Sequence, residues 1–257
     1  MTTAPVTWIF LRGLTRESGH WDGFVEQFQQ TVPLSRVVML DLPGNGRLHQ
    51  QTSPLRVQEM VAYCRASLAL RHVAPPYHLL AMSLGAMVAV AWHQSHPSEI
   101  AAQVLINTSM RPFNPFYQRL QPRNYAVLLR LAVLGATPEV WERTILSLTS
   151  NHADEAVLPL WLALRRTHPV SGANAFRQLM AAACFSASTA APLAATLVLA
   201  SERDRLVSVE CSKALARQWR CALALHPSAG HDIPLDDGPW VAEQVGAWLS
   251  TQTGSRT

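Results

Sequence analysis

The sequence predicts a doubly wound α/β fold: a mostly parallel sheet of about six strands, helices on both faces and a helical insertion. Three observations carry this expectation. Six short β-like runs recur along the chain, and most are nearly continuous in apolar character, the pattern of strands buried on both faces. Helix-patterned stretches alternate with them. One gap of more than 80 residues, between Thr108 and Ala195, holds helical patterning and no convincing strand.

The strand runs are VTWIFL (6–11), RVVMLDL (36–42), YHLLAM (77–82), AQVLINT (102–108), ATLVLAS (195–201) and CALALH (221–226). Helices are expected around 20–31, 56–72, 84–96, 208–219 and 239–250. Within the long gap the helix-like stretches are Tyr125 to Leu134, Glu139 to Leu148, Asp154 to Arg166 and Gly172 to Cys184, punctuated by Pro112, Pro115, Pro122, Pro138 and Pro169. The domain expectation is a core of residues 1–109 and 191–257, interrupted by a helical insertion at 110–190.

Composition narrows the functional classes. Hydrophobic residues make up 49% of the 257 and charged residues 15%, enough to bury a large core and too few charges for global disorder. No apolar run reaches the roughly 18 residues of a membrane span. The opening MTTAPVTWIFLRGL lacks a basic start and a small-residue cleavage site, so it is expected to be a first strand and not a signal peptide. Cys64, Cys184, Cys211 and Cys221 form no C-x-x-C pair and no zinc-ligand spacing, as expected of buried thiols in a reduced, cytoplasmic chain. The formal charge is +4, and Lys213 is the only lysine. Without a basic run or aromatic–basic interleaving, nucleic-acid binding is not expected.

The chemistry centres on LLAMSLGAMVA (79–89). Ser83 stands between a buried strand and a helix, with Ala81 two places before it and Gly85 two places after. This is the spacing of a nucleophile elbow, G-x-S-x-G, with alanine in place of the first glycine. The tight turn brings strand and helix so close that larger side chains at those offsets would clash. A serine hydroxyl needs a base, and the base needs an orienting acid. Asp204, in LASERDRLV, follows the fifth strand run. His231, in PSAGHDIPL, follows the sixth. Both fall at C-terminal strand ends, where open α/β sheets place their sites. Glu202 and Asp232 are the rival acids; Asp232, adjacent to the histidine, is expected to point away from its Nδ1. Asn107-Thr108-Ser109, after the fourth strand run, offers no carboxylate. For an oxyanion, the expected backbone donors are Leu84, after the serine, and Leu14, in the turn permitted by Gly13.

At this point the chain resembles the α/β-hydrolase family over nearly its whole length. FLRGL (10–14) looks like the strand and oxyanion turn, with Arg12 replacing the usual histidine. DLPGNG (41–46) matches the D-x-P-G-x-G loop, AMSLG the elbow, ERDRLV the acid turn and GHDIP the histidine loop. The resemblance implies a serine hydrolase, esterase-like, with a Ser83–His231–Asp204 triad and a small-molecule acyl ester as substrate. It implies no metal or cofactor. It also implies that the insertion is a cap. Only five residues precede Val6, so the family's N-terminal hairpin is expected to be missing and the sheet all parallel. Thioester or lactone hydrolysis, acyl transfer, carbon–carbon lyase chemistry and silent ligand binding use the same constellation.

The remaining candidates are finer. Asp41 is expected to structure its loop. His20 and Trp21 are expected to start the first helix beneath the oxyanion turn, with His20 a candidate for touching substrate. Arg12 is expected to brace the turn by bonding loop carbonyls; the competing use is contact with an anionic substrate group. The insertion holds eight arginines against Glu139, Glu142, Asp154 and Glu155, read as solvated faces or, more sharply, as an attractor of anionic substrates. Its aromatic residues, among them Phe116 and Trp161, are expected to line an apolar acyl pocket.

Overall fold

Six strands form one parallel sheet in the order β2-β1-β3-β4-β5-β6 in a computed structural model that describes residues 5–134, 136–152 and 155–254. The strands are β1 (Val6–Leu11), β2 (Ser35–Leu40), β3 (Tyr77–Met82), β4 (Ile100–Ile106), β5 (Ala195–Ser201) and β6 (Ala222–His226). All five pairings are parallel, as expected. The helices between the strands are α1 (Phe24–Thr31), α2 (Val57–Leu70) and α3 (Leu84–Ser95). Among the described residues, five α-helices lie between β4 and β5: α4 (Phe116–Arg119), α5 (Tyr125–Leu134), α6 (Pro138–Thr149), α7 (Leu158–Thr167) and α8 (Gly172–Cys184). After β5 come α9 (Val209–Trp219), α10 (Ile233–Asp236) and α11 (Gly238–Gly254).

The strand alternation fills two cores. Ile9, Leu11, Leu79, Ala81, Leu105 and Val198 face α2, α3 and α9. Their neighbours Trp8, Phe10, Leu80, Met82, Val104 and Leu197 face α1 and α11. Period-two side chains that are apolar on both sides require helices on both faces, which is the doubly wound arrangement. None of the described helices is long and apolar enough to cross a membrane.

Element ends differ from expectation for local reasons. β2 stops at Leu40 because Asp41 turns out of the sheet. Its Oδ1 accepts the Ser18 amide at 2.7 Å and its Oδ2 the Arg47 amide at 3.1 Å, the loop-structuring role expected of it. β4 stops at Ile106 because Asn107 takes a positive φ of 43°. Pro138 and Pro159 sit in the first turns of α6 and α7, where a missing N–H costs little. α7 therefore starts at Leu158, after a short 3-10 turn at Glu155–Val157; Asp154 lies outside the described residues. The four cysteines are free, but not all are buried: Cys184 is exposed and Cys221 partly so. Burial pushes the Cys64 and Cys211 thiols up to about 12.

Strand order reverses beside β1, which pairs with β2 on one side and β3 on the other. Such a switch point leaves a crevice outside the C-terminal strand ends. Leu11 is in register with Ala81, so the residues that follow, Arg12-Gly13 and Met82-Ser83, emerge side by side.

Candidate active site

Ser83 occupies the crevice in a strained turn. Its backbone has φ 54° and ψ −117°, between β3 and the first residue of α3. This is a region that residues with a Cβ seldom adopt. Two bonds hold the turn: the Ser83 amide donates to Ile106 O at 3.0 Å, and Thr108 Oγ1 donates to Ser83 O at 3.1 Å. The small neighbours have their expected cause. A Cβ on Gly85 would lie 2.5 Å from Leu11 O and 2.6 Å from Arg12 O, and one on Gly13 would lie 3.1 Å from Ser83 Cβ. The carbonyls belong to β1 and its turn and cannot yield without moving the sheet. Gly85→Ala is therefore expected to lower stability by about 1–3 kcal/mol, the usual cost of overpacking, read as a lower urea midpoint at unchanged slope.

His231 and Asp204 form a buried pair. His231 Nδ1 lies 2.7 Å from Asp204 Oδ2, with both side chains almost fully enclosed. The other carboxylate oxygen accepts the Leu206 amide at 2.7 Å and the Val207 amide at 3.0 Å. Those bonds fix the carboxylate from the far side. Glu202, the rival, is exposed. Ser83, His231, Leu14 and Leu84 all line one cavity of about 170 Å³, while Asp204 sits behind the histidine and outside the lining. The rest of the wall is chiefly apolar, including Met87, Leu120, Leu148, Leu179, Leu206 and Val207. Among the described residues, no group of three or more His, Cys, Asp and Glu side chains is placed to hold a metal ion.

Asp232 points away from the imidazole and explains Arg12. The two Nη atoms of Arg12 bond the two carboxylate oxygens of Asp232, one at 3.1 Å, with both side chains buried. The guanidinium also lies 4.7 Å above the Trp21 ring. The expectation that Arg12 braces its turn through loop carbonyls is thus corrected: the partner is a carboxylate on the histidine loop. A planar fork suits this bidentate geometry better than an imidazole. The pair links the turn after β1 to the loop that carries His231. Arg12→Ala should cost about 3–5 kcal/mol, because it strands Asp232 as a buried unpaired charge. The Arg12→Ala/Asp232→Ala double variant should regain part of that loss. A double variant as unstable as the sum of both singles would contradict the pairing.

Other site candidates fall elsewhere. His20 does not line the cavity. Its Nε2 accepts from Arg16 Nη1 at 2.9 Å, since a guanidinium only donates. Burial, reinforced by the Arg16 and Arg12 charges, pushes the ring well below its usual value. Trp161 is 1% exposed, beneath Arg16 in a small cluster with Leu146 and Leu158. Phe116 is 72% exposed on α4. Neither aromatic residue reaches the cavity lining.

Asn107 stands out in the sequence only as a position without a carboxylate, and the structure gives it a role. Its Nδ2 donates to Gly230 O at 3.2 Å and to His231 O at 2.8 Å, and its Oδ1 accepts the Ser201 amide at 2.9 Å. One side chain thus ties the end of β5 to the histidine loop. The only signal in the sequence is an asparagine directly after a buried strand, a residue type that tolerates the left-handed region.

Comparison with known proteins places this architecture. Residues 8–244 match the model of the alpha/beta hydrolase family. The chain belongs to that family. No curated protein sequence gives a match. Among solved structures, a candidate non-heme bromoperoxidase from Mycobacterium tuberculosis H37Rv is 18% identical, with TM-score 0.75 over 97% of this chain and 94% of that one. A thermophilic esterase from Thermogutta terrifontis is 20% identical, with TM-score 0.73 over 97% and 91%. A candidate lipase from Acinetobacter baumannii AYE is 20% identical, with TM-score 0.76 over 99% and 86%. At these identities the likeness is one of fold.

Proposed function

We propose that the protein is a serine hydrolase that cleaves a carboxylic ester through Ser83, His231 and Asp204. The observation that carries the reading is the buried 2.7 Å His231–Asp204 pair, whose histidine shares a cavity with a serine on a strained elbow. In this reading Ser83 Oγ bonds the ester carbonyl carbon as its proton passes to His231 Nε2. Asp204, bonded to Nδ1, holds the tautomer and stabilises the imidazolium. The backbone N–H groups of Leu14 and Leu84 receive the oxyanion. Collapse expels the alcohol, which takes the proton from Nε2 and leaves an acyl-serine. Water, deprotonated by His231, then attacks the acyl carbon and releases the acid and the restored Ser83 hydroxyl.

The segment 110–190 acts as a cap over this chemistry. Support comes from Leu120, Leu148 and Leu179, which belong to it and line the cavity. An apolar wall favours an apolar acyl chain. The test is a series of p-nitrophenyl esters of rising chain length, run beside thioesters and lactones. Esters should give the highest kcat/KM. Leu148→Ala should shift the preferred chain length upward, while Phe116→Ala, on the outer surface, should leave it in place. Preference for thioesters or lactones, or an optimum that follows Phe116, would contradict this reading.

A further inference from the structure

The turn after β1 does not hold its shape unaided. It closes through the Arg16 amide, which donates to Gly13 O at 3.2 Å, with Leu14 and Thr15 between. Thr15 has a positive φ of 58°, a conformation that β-branched residues rarely adopt. The Leu14 amide has no acceptor among the described residues, and neither has that of Leu84. Both residues line the cavity. A turn that must present one N–H to the cavity, while a strained threonine sits next to it, needs support from outside.

That support comes from α8. The Thr15 amide donates to Gln178 Oε1 at 2.9 Å. The Gln178 side chain is fully buried, and its Nε2 donates to Asn45 Oδ1 at 2.7 Å and to Ser53 Oγ at 3.0 Å. Asn45 Nδ2 in turn donates to Arg16 O at 2.9 Å, and Ser53 Oγ donates to Pro43 O at 2.7 Å. The network is consistent in one direction only. The Thr15 N–H needs an acceptor and Arg16 O needs a donor, so both side-chain amides are fixed in orientation. Gln178 and Asn45 thus hold the turn at two successive residues, one at an N–H and the other at a carbonyl. Asn45 belongs to the DLPGNG loop, and Gln178 to the segment between β4 and β5.

We propose that Gln178 is a positioning residue for the oxyanion turn: by accepting the Thr15 N–H, it keeps the neighbouring Leu14 N–H aimed at the carbonyl oxygen of the reacting ester. This rests on the serine-hydrolase reading above. The oxyanion site is then complete only while α8 is docked on the core. Without its acceptor, Thr15 relaxes toward a negative φ, the turn reshapes and the Leu14 N–H loses its aim. A donor that meets the developing oxyanion acts on the transition state and not on the bound ester. Its loss is therefore read in kcat and not in KM.

The test measures turnover of p-nitrophenyl pentanoate and inhibition by 1,1,1-trifluorohexan-2-one, which carries the same butyl chain. Ser83 Oγ adds to the ketone carbon, its proton passes to His231, and the carbonyl oxygen becomes an oxyanion where the ester's would form. The proteins compared are the wild type, Gln178→Met, Gln178→Glu and Asn174→Ala, each with its urea midpoint and its fluorophosphonate uptake. Methionine keeps the bulk and removes the amide acceptor. Gln178→Met should lower kcat by roughly ten- to a hundredfold, the scale of a reacting group misplaced by about 1 Å. The ketone Ki should rise by a similar factor, with KM within about threefold of wild type. Gln178→Glu, whose buried carboxyl stays protonated and offers the same acceptor, should recover most of both losses. Asn174→Ala removes the bonds from α8 to the Ser53 amide and to Gln51 O and touches no residue of the turn. It should lower the urea midpoint and leave kcat and Ki close to wild type. Should the methionine variant not fold, Gln178→Asn, whose amide is one methylene too short to meet Thr15, decides the matter and should show the same loss. Unchanged kcat and Ki in folded Gln178→Met or Gln178→Asn overturn the proposal. So does a Gln178→Glu or Asn174→Ala variant as impaired as Gln178→Met. Each of these results leaves the hydrolase reading standing. A wild type with neither fluorophosphonate adduct nor turnover overturns that reading and this proposal with it.

Discussion

Ser83→Ala should abolish the proposed ester hydrolysis in a protein that still folds: kcat should fall by roughly 10⁵–10⁶, the scale seen when a triad nucleophile is removed. The substitution deletes one oxygen. It leaves the bonds that hold the elbow, from the Ser83 amide to Ile106 O and from Thr108 Oγ1 to Ser83 O, because both use the backbone of residue 83. The positive φ of 54° is no worse for alanine than for serine. The urea midpoint should therefore stay close to wild type while turnover vanishes. Turnover of p-nitrophenyl acetate within about tenfold of wild type would rule out Ser83 as nucleophile, and loss of fold would show that the hydroxyl has a packing role.

Asp204→Asn should cut kcat by about 10⁴ with little change in KM. An asparagine can still present one oxygen to the Leu206 and Val207 amides, so the acid turn should keep its shape. What then faces His231 Nδ1 is an NH₂ group. That favours the tautomer with the proton on Nε2, where it cannot accept the serine proton. The effect is confined to the protonation pattern, so stability should change far less than activity. Glu202→Gln, on an exposed side chain, should be silent. Reversal of these two results, with Glu202→Gln damaging and Asp204→Asn silent, would move the acid to Glu202.

What the sequence made legible follows from how local each feature is. Strand cores such as VTWIFL and YHLLAM are continuous apolar runs, and their limits hold to the residue in β1, β3 and β5. The limits of β2 and β4 slipped because side-chain bonds, from Asp41, and a left-handed residue, Asn107, ended them. The candidate serine, acid and histidine were legible because each follows a strand run within a few residues, Ser83 at once after β3, Asp204 shortly after β5 and His231 in the loop after β6, and the parallel sheet gathers those ends on one side. Contacts that depend on tertiary approach were not legible. The Arg12–Asp232 pair spans 220 positions, and no pattern at either end names the other. The aromatic residues between β4 and β5 gave the opposite error. Composition suggested that Phe116 and Trp161 line a pocket, but one faces outward and the other fills the interior beneath Arg16. Leucines of α6 and α8 line the cavity instead. The choice depends on helix rotation, which an apolar count does not encode.

The most direct measurement is the site of covalent capture. Fluorophosphonate reacts with an activated serine by losing fluoride and forming a phosphonyl-serine, so digestion and mass spectrometry locate the adduct on one peptide. One adduct per chain is expected, on the serine of AMSLG, formed quickly by the wild type and at least a thousandfold more slowly by Asp204→Asn. A wild-type chain that hydrolyses esters while carrying the adduct on another serine, or on none, would contradict the role given to Ser83.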